Sequence, residues 1–127
     1  MFSHVTIGSN DIARARAFYD ALTPALGLIR RADYPEAIGY GLAEGRPQLW
    51  IVRPLDKKAA SSGNGVTVGL EAADRTAVDK AHAAALKAGG SDEGAPGLRP
   101  HYHPNYYGAY LRDPDGNKVC IVCHQPA

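Results

Sequence analysis

The sequence predicts an α+β fold built from two tandem β-α-β-β-β modules, and three observations predict it. An internal repeat runs at an offset of 63: His4-Val5-Thr6-Ile7 falls on Thr67-Val68-Gly69-Leu70, Asp11 on Asp74 and Gly27 on Gly90. Each copy reads as an apolar or alternating run, an aspartate able to cap a helix, and a helical stripe closed by glycine. Composition fits one domain of this kind: 127 residues, 45% hydrophobic and 21% charged, with 14 glycines and 9 prolines that favour many short elements.

In the first module, residues 4–7 form the opening strand. Asp11 caps a helix whose stripe is Ile12, Ala15, Tyr19, Leu22 and Leu26, with Gly27 as its stop. Leu28 to Ala32, Ile38 to Leu42 and Leu49 to Val52 then read as strands, separated by turn chemistry at Asp33-Tyr34-Pro35 and Gly45-Arg46-Pro47. Residues 56–64 form a polar linker, so the modules span about 1–55 and 65–124.

The second module repeats the plan with a strand at 67–70 and a helix striped by Val78, Ala81, Ala85 and Leu86. Its glycine-rich segment 89–97 leads to a short strand near Leu98, followed by strands Tyr106 to Arg112 and Lys118 to Cys123. Between these last two, Asp113-Pro114-Asp115-Gly116-Asn117 is a hairpin turn: proline fixes one φ, and glycine or asparagine supplies a positive one.

Charge excludes some functions. Fourteen Lys and Arg against 13 Asp and Glu leave a formal +1, spread along the chain, which is no footprint for nucleic acid or an anionic membrane. No window approaches the roughly 20 apolar residues of a membrane span and no leader opens the chain, so the expected location is cytoplasmic. Cys120 and Cys123 sit three strand steps of about 3.3 Å apart on opposite faces, too far to bridge. Two free thiols fit a reducing compartment.

His4 in the opening strand, Phe18-Tyr19 in the first helix, Leu26-Gly27-Leu28, and the 113–117 turn before the last strand carry a resemblance over the whole chain. The sequence resembles the vicinal oxygen chelate superfamily, which includes glyoxalase I, extradiol dioxygenases and the bleomycin-resistance proteins. That resemblance implies paired modules curling into a cupped mixed sheet whose inward strand residues line the site. It also implies metal ligands from the opening strand of each half and from a terminal strand.

His4 matches the first ligand position. Its internal equivalent is Thr67, and the glutamate expected two residues after Lys118 is Cys120. In the matching strand of the first half, Gln48-Leu49-Trp50-Ile51 supplies no carboxylate or imidazole, although its register is open by one residue. An open catalytic site usually needs about three strong donors, so the expectation is a degenerate site with no resident metal. A rescue would join Cys120, His4 and either His101 or His103 into a set for zinc, iron, nickel or manganese. Cys120 also reads as a small buried apolar residue.

The stretch Arg99 to Tyr107 holds two histidines, three tyrosines, an arginine and an asparagine, with two prolines limiting its freedom, and could close one end of the cup. The expected ligand-binding residues are Trp50, Thr67, Arg99, Tyr102, Tyr107 and Cys120, with Arg99 available to a carboxylate or phosphate. Catalytic candidates are His4, His101, His103 and Tyr107. Blander readings stand beside them: His4 as a relict ligand or satisfied core histidine, Trp50 as core, Tyr106 and Tyr110 as flanks of a sheet. His82 and His124 read as surface residues, and Arg14, Arg16, Lys80 and Lys87 as solvated helix faces. The expected function is small-molecule binding in the cup, with a second copy of the chain as partner; the alternative is a metal-dependent, glyoxalase-like lyase, isomerase or dioxygenase with rearranged ligands.

Overall fold

A computed structural model describes all residues, 1–127. The two aspartates at equivalent positions both cap helices. Asp11 accepts the Arg14 N–H at 3.0 Å to start α1 (Ile12–Leu22), and Asp74 accepts the Ala77 N–H at 2.7 Å to start α2 (Arg75–Lys87). The strands are β1 (Val5–Gly8), β2 (Ile29–Tyr34), β3 (Ala37–Gly41), β4 (Leu49–Val52), β5 (Val68–Glu71), β6 (Ser91–Leu98), β7 (Tyr107–Arg112) and β8 (Lys118–Cys123). They form two four-stranded mixed sheets, ordered β1-β4-β3-β2 and β5-β8-β7-β6. In each, the opening strand pairs in parallel with the last and the other pairs are antiparallel.

Three details depart from the sequence expectation. The first helical stripe does not run on to Leu26: the chain tightens into a 3-10 turn at Thr23–Leu26, where Pro24 lacks an amide donor and the Thr23 hydroxyl donates back to the Tyr19 carbonyl at 2.7 Å. In the second module the left-handed stop is Gly89, at φ 104°, rather than Gly90. Gly90 is small for another reason, since a Cβ there would stand 2.8 Å from the Phe18 ring and 2.9 Å from the Ala85 carbonyl oxygen. Finally, the glycine-rich segment is strand from Ser91 onward. An edge strand tolerates Pro96 and the register shifts around Gly94, because one side of its ladder needs no partner.

One apolar core serves both modules. Phe18, Tyr19 and Leu22 of α1 meet Ile38 and Ile51 of the first sheet, Val78 and Ala85 of α2, and Leu111, Val119 and Ile121 of the second sheet. No ladder joins the sheets; the helices and the 113–117 turn join them instead. The buried Asp113 carboxylate accepts the Tyr19 hydroxyl at 2.7 Å, and Asp115 accepts the Ser9 hydroxyl at 2.6 Å, the Asn10 N–H at 2.9 Å and the Arg14 guanidinium at 3.0 Å. Arg14 is therefore part of the joint rather than a solvated decoration, and Arg16 is tied to Asp33 at 2.8 Å. No helix is long and apolar enough to cross a membrane.

Candidate functional site

Strand alternation gives each sheet a core-facing side and an open side. Thr6 pairs with Trp50 in the first sheet, and Gly69 pairs with Cys120 in the second. Because Thr6 and Gly69 correspond across the repeat, Trp50 is the internal equivalent of Cys120, and the open register is resolved. The four positions to which the resemblance assigns ligands thus carry His4, Trp50, Thr67 and Cys120. His4 is exposed and shares a 2.9 Å hydrogen bond with the Ser3 hydroxyl.

The open side of β7 and β8 holds the densest chemistry. Cys120, 4% exposed, lies across the ladder from Tyr110. Tyr106 folds across Gly108, where a Cβ would stand 2.9 Å from its ring, and brings its hydroxyl to 2.8 Å from the Tyr110 hydroxyl and 3.4 Å from the Cys120 sulfur. Burial, then the hydrogen bond to Cys120, pushes the Tyr106 phenol above its ordinary range. Burial, then the Tyr106 hydroxyl, does the same for Tyr110. Both hydroxyls stay protonated near neutral pH; one proton is spent in the bond between them, which leaves the other to donate to a ligand oxygen. Lys118 Nζ lies 5.4 Å and the Arg99 guanidinium 5.7 Å from the Tyr110 ring centre.

Arg99 donates to the carbonyls of Gly97 at 2.8 Å and Ala95 at 2.9 Å, so each terminal nitrogen holds a carbonyl of β6. Tyr107 lies apart from the other candidates. It points to the other side of β7, where its hydroxyl donates to Asp79 at 2.6 Å and Arg75 sits 5.4 Å from the ring centre. Adjacent strand residues face opposite ways, so Tyr107 cannot share a site with Tyr106 and Tyr110.

The loop brings imidazoles together. His103 Nδ1 accepts the Asn105 N–H at 3.1 Å, which leaves the proton on Nε2, and Nε2 donates to His124 Nδ1 at 2.8 Å. His124 thus belongs to the cluster, which the sequence reading missed, and Tyr106 touches both rings edge-on. Tyr102 lies between His101 and Tyr106 in tilted contact with each, with ring centres 4.3 and 4.8 Å away. His82 is buried beside Asp92 at 3.0 Å, tying α2 to β6, rather than exposed. For a metal, two converging imidazoles are too few: no group of three His, Cys, Asp or Glu side chains gathers in the chain, and His4, Cys120 and the loop histidines are not assembled into one set. The donors present do not fit a resident divalent ion within one chain.

A groove of about 450 Å³ separates edge strands β1 and β5. Val5, Leu26, Leu42, Val68 and Leu70 give it apolar walls, with His4 and Glu71 at its border.

The Glyoxalase/Bleomycin resistance protein/Dioxygenase superfamily model matches residues 1–121. A solved glyoxalase/bleomycin resistance protein from Albidiferax ferrireducens T118 is 38% identical over 99% of both chains, with a TM-score of 0.85. A glyoxalase/bleomycin resistance protein/dioxygenase family enzyme from Burkholderia phytofirmans PsJN is 25% identical, covering 97% of this chain and 98% of its own, at a TM-score of 0.73. A lactoylglutathione lyase from Agrobacterium tumefaciens shares the fold at 21% identity and a TM-score of 0.64, over 97% of this chain and 92% of its own. No curated protein matches the sequence.

Proposed function

The chain belongs to the glyoxalase/bleomycin resistance protein/dioxygenase superfamily, and on that premise we propose that it binds a small organic molecule on the open sheet faces without a resident metal. The observation that carries this reading is the strand register. Trp50 and Cys120 occupy equivalent places, Thr67 stands where His4 stands in the other half, and none of the three is a good oxygen or nitrogen ligand. In their place are a tryptophan ring suited to stacking and a pair of neutral phenols suited to a carbonyl or hydroxyl oxygen.

The working form is a homodimer. Each chain leaves the outer edges of β1 and β5 unpaired around an apolar groove, with Phe2 77% and Leu42 56% exposed. A second copy covers that surface and completes the cup. Two buried free thiols favour a cytoplasmic setting. The competing reading, a metal-dependent lyase, isomerase or dioxygenase, draws on the convergent imidazoles of His103 and His124.

The test is a panel of small aromatic and polar compounds applied to chelator-treated protein, read by Trp50 fluorescence and thermal shift. Saturable quenching that survives chelation supports the proposal. Binding that appears only after a divalent metal is restored sinks it.

A further inference from the structure

A second cavity, of about 460 Å³, opens where the inter-module linker meets the open side of the second sheet. Its walls include Ser62, Asn64, Gly65 and Thr67 on the linker side and Arg112 and Lys118 on the sheet side. Resting on the binding function proposed above, we propose that this cavity receives an anionic group, a carboxylate or a phosphate, of a ligand whose planar body extends along the open face of β7 and β8 toward Tyr110.

Charge supports an anion. Lys118 is half-buried and forms no ion pair in the chain. Its only close partner is the face of Tyr110, 5.4 Å from the ring centre. Half-burial of an ammonium without a counter-ion costs free energy that an arriving anion would recover. Arg112 gives Nε to Glu93 at 2.9 Å and one terminal nitrogen to the Gly116 carbonyl at 3.0 Å, which leaves its other terminal nitrogen uncommitted. The Glu93 carboxylate is the only acid paired with either cation, so Lys118 supplies the uncompensated charge.

The linker supplies neutral donors. The N–H groups of Gly63, Asn64 and Gly65 bond no backbone carbonyl, and Gly65 takes a left-handed φ of 95° that turns the chain around the cavity. Strand register sets the direction of the ligand. Arg112 pairs with Lys118, and the next pair on the same face is Tyr110 with Cys120, about 7 Å further along the strand. That spacing matches a carboxylate or phosphate joined to an aromatic ring, and Thr67, beside Lys118, adds a hydroxyl where its counterpart His4 would have brought an imidazole.

Benzoate, inorganic phosphate and the neutral isostere benzamide separate the possibilities, each titrated into the full-length protein and followed residue by residue through amide chemical shifts. Benzoate is expected to saturate shifts at Gly63 to Thr67, Lys118 and Cys120. Lys118→Met, which keeps most of the apolar stem, should weaken it by about tenfold. If phosphate produces the same linker shifts, the site takes the anion itself; if only benzoate does, the ring extending toward Tyr110 is required, and either result supports the proposal. Benzamide binding as tightly as benzoate, or no loss in Lys118→Met, would overturn the anion site while leaving small-molecule binding in place. Failure of all three probes at the linker overturns it as well, and only a failure of the wider compound panel would remove the binding function too.

Discussion

The Tyr19 hydroxyl donates to the buried Asp113 carboxylate at 2.7 Å across 94 positions of chain, and so fastens the first helix to the last hairpin turn. Tyr19→Phe removes the donor while Asp113 keeps its bonds to the Asp115 and Asn117 N–H groups at 2.9 Å each. The expected cost is about 1.5–3 kcal/mol, the range for a hydrogen bond to a charged acceptor, read as a lowered urea midpoint at unchanged slope.

The same phenol predicts alkaline behaviour. Burial, then the Asp113 charge, raises the Tyr19 pKa well above its ordinary value, and burial followed by the Asp20 hydrogen bond raises that of Tyr40. A phenol whose folded pKa is raised contributes stability fully present below its unfolded pKa of about 10 and lost as pH climbs through and beyond that value. The melting temperature should therefore fall above about pH 10. Tyr19→Phe should flatten that fall in part, with Tyr40, Tyr106, Tyr107 and Tyr110 supplying the remainder.

Two glycines predict different kinds of damage. Gly27→Ala meets no atom within 4 Å but sits at φ 71°, so it should cost about 1–2 kcal/mol from backbone strain alone. Gly90→Ala drives a methyl into the Phe18 ring and the Ala85 carbonyl, an overpacking cost of about 1–3 kcal/mol. Phe18→Leu should soften the second substitution and leave the first unchanged, which a double-mutant cycle measures.

Thiol access tests the cluster around Cys120. Both cysteines are buried, Cys123 fully, and the Tyr106 hydroxyl lies 3.4 Å from the Cys120 sulfur. Native protein should react slowly with an aromatic disulfide reagent. Tyr106→Ala should make one thiol per chain fast, assigned to Cys120 by mass spectrometry, with Cys123 still protected.

The groove between β1 and β5 predicts association. Sedimentation should give twice the chain mass of 13.5 kDa, and Val5→Glu, which sets a charge on the groove wall, should shift the protein to monomer. A monomeric wild type would remove the second copy as occupant of the groove.

How much of this was legible in the sequence depended on whether the signal was local. Asp11 and Asp74 announced their helices because a cap needs only the next three residues, and the 113–117 turn carried its own proline and glycine. The offset of 63 also aligned His4 with Thr67 without any coordinates. What failed was facing and distance. Nothing local separates Tyr107 from its neighbours, because the register of a strand, and hence which alternate residues face outward, is fixed by the ladder. His124 carries no local signal either, because its partner His103 lies 21 positions away. Gly90 looked like a helix stop, but a distant ring decides its size.

Metal content tests the central claim most directly, that this site works through its side chains and not through a bound ion. Protein expressed without a histidine tag and purified without chelator should contain zinc, iron, nickel and manganese far below one ion per chain. About one ion per chain, lost on Cys120→Ala, would contradict the claim and make the site a rearranged metal centre.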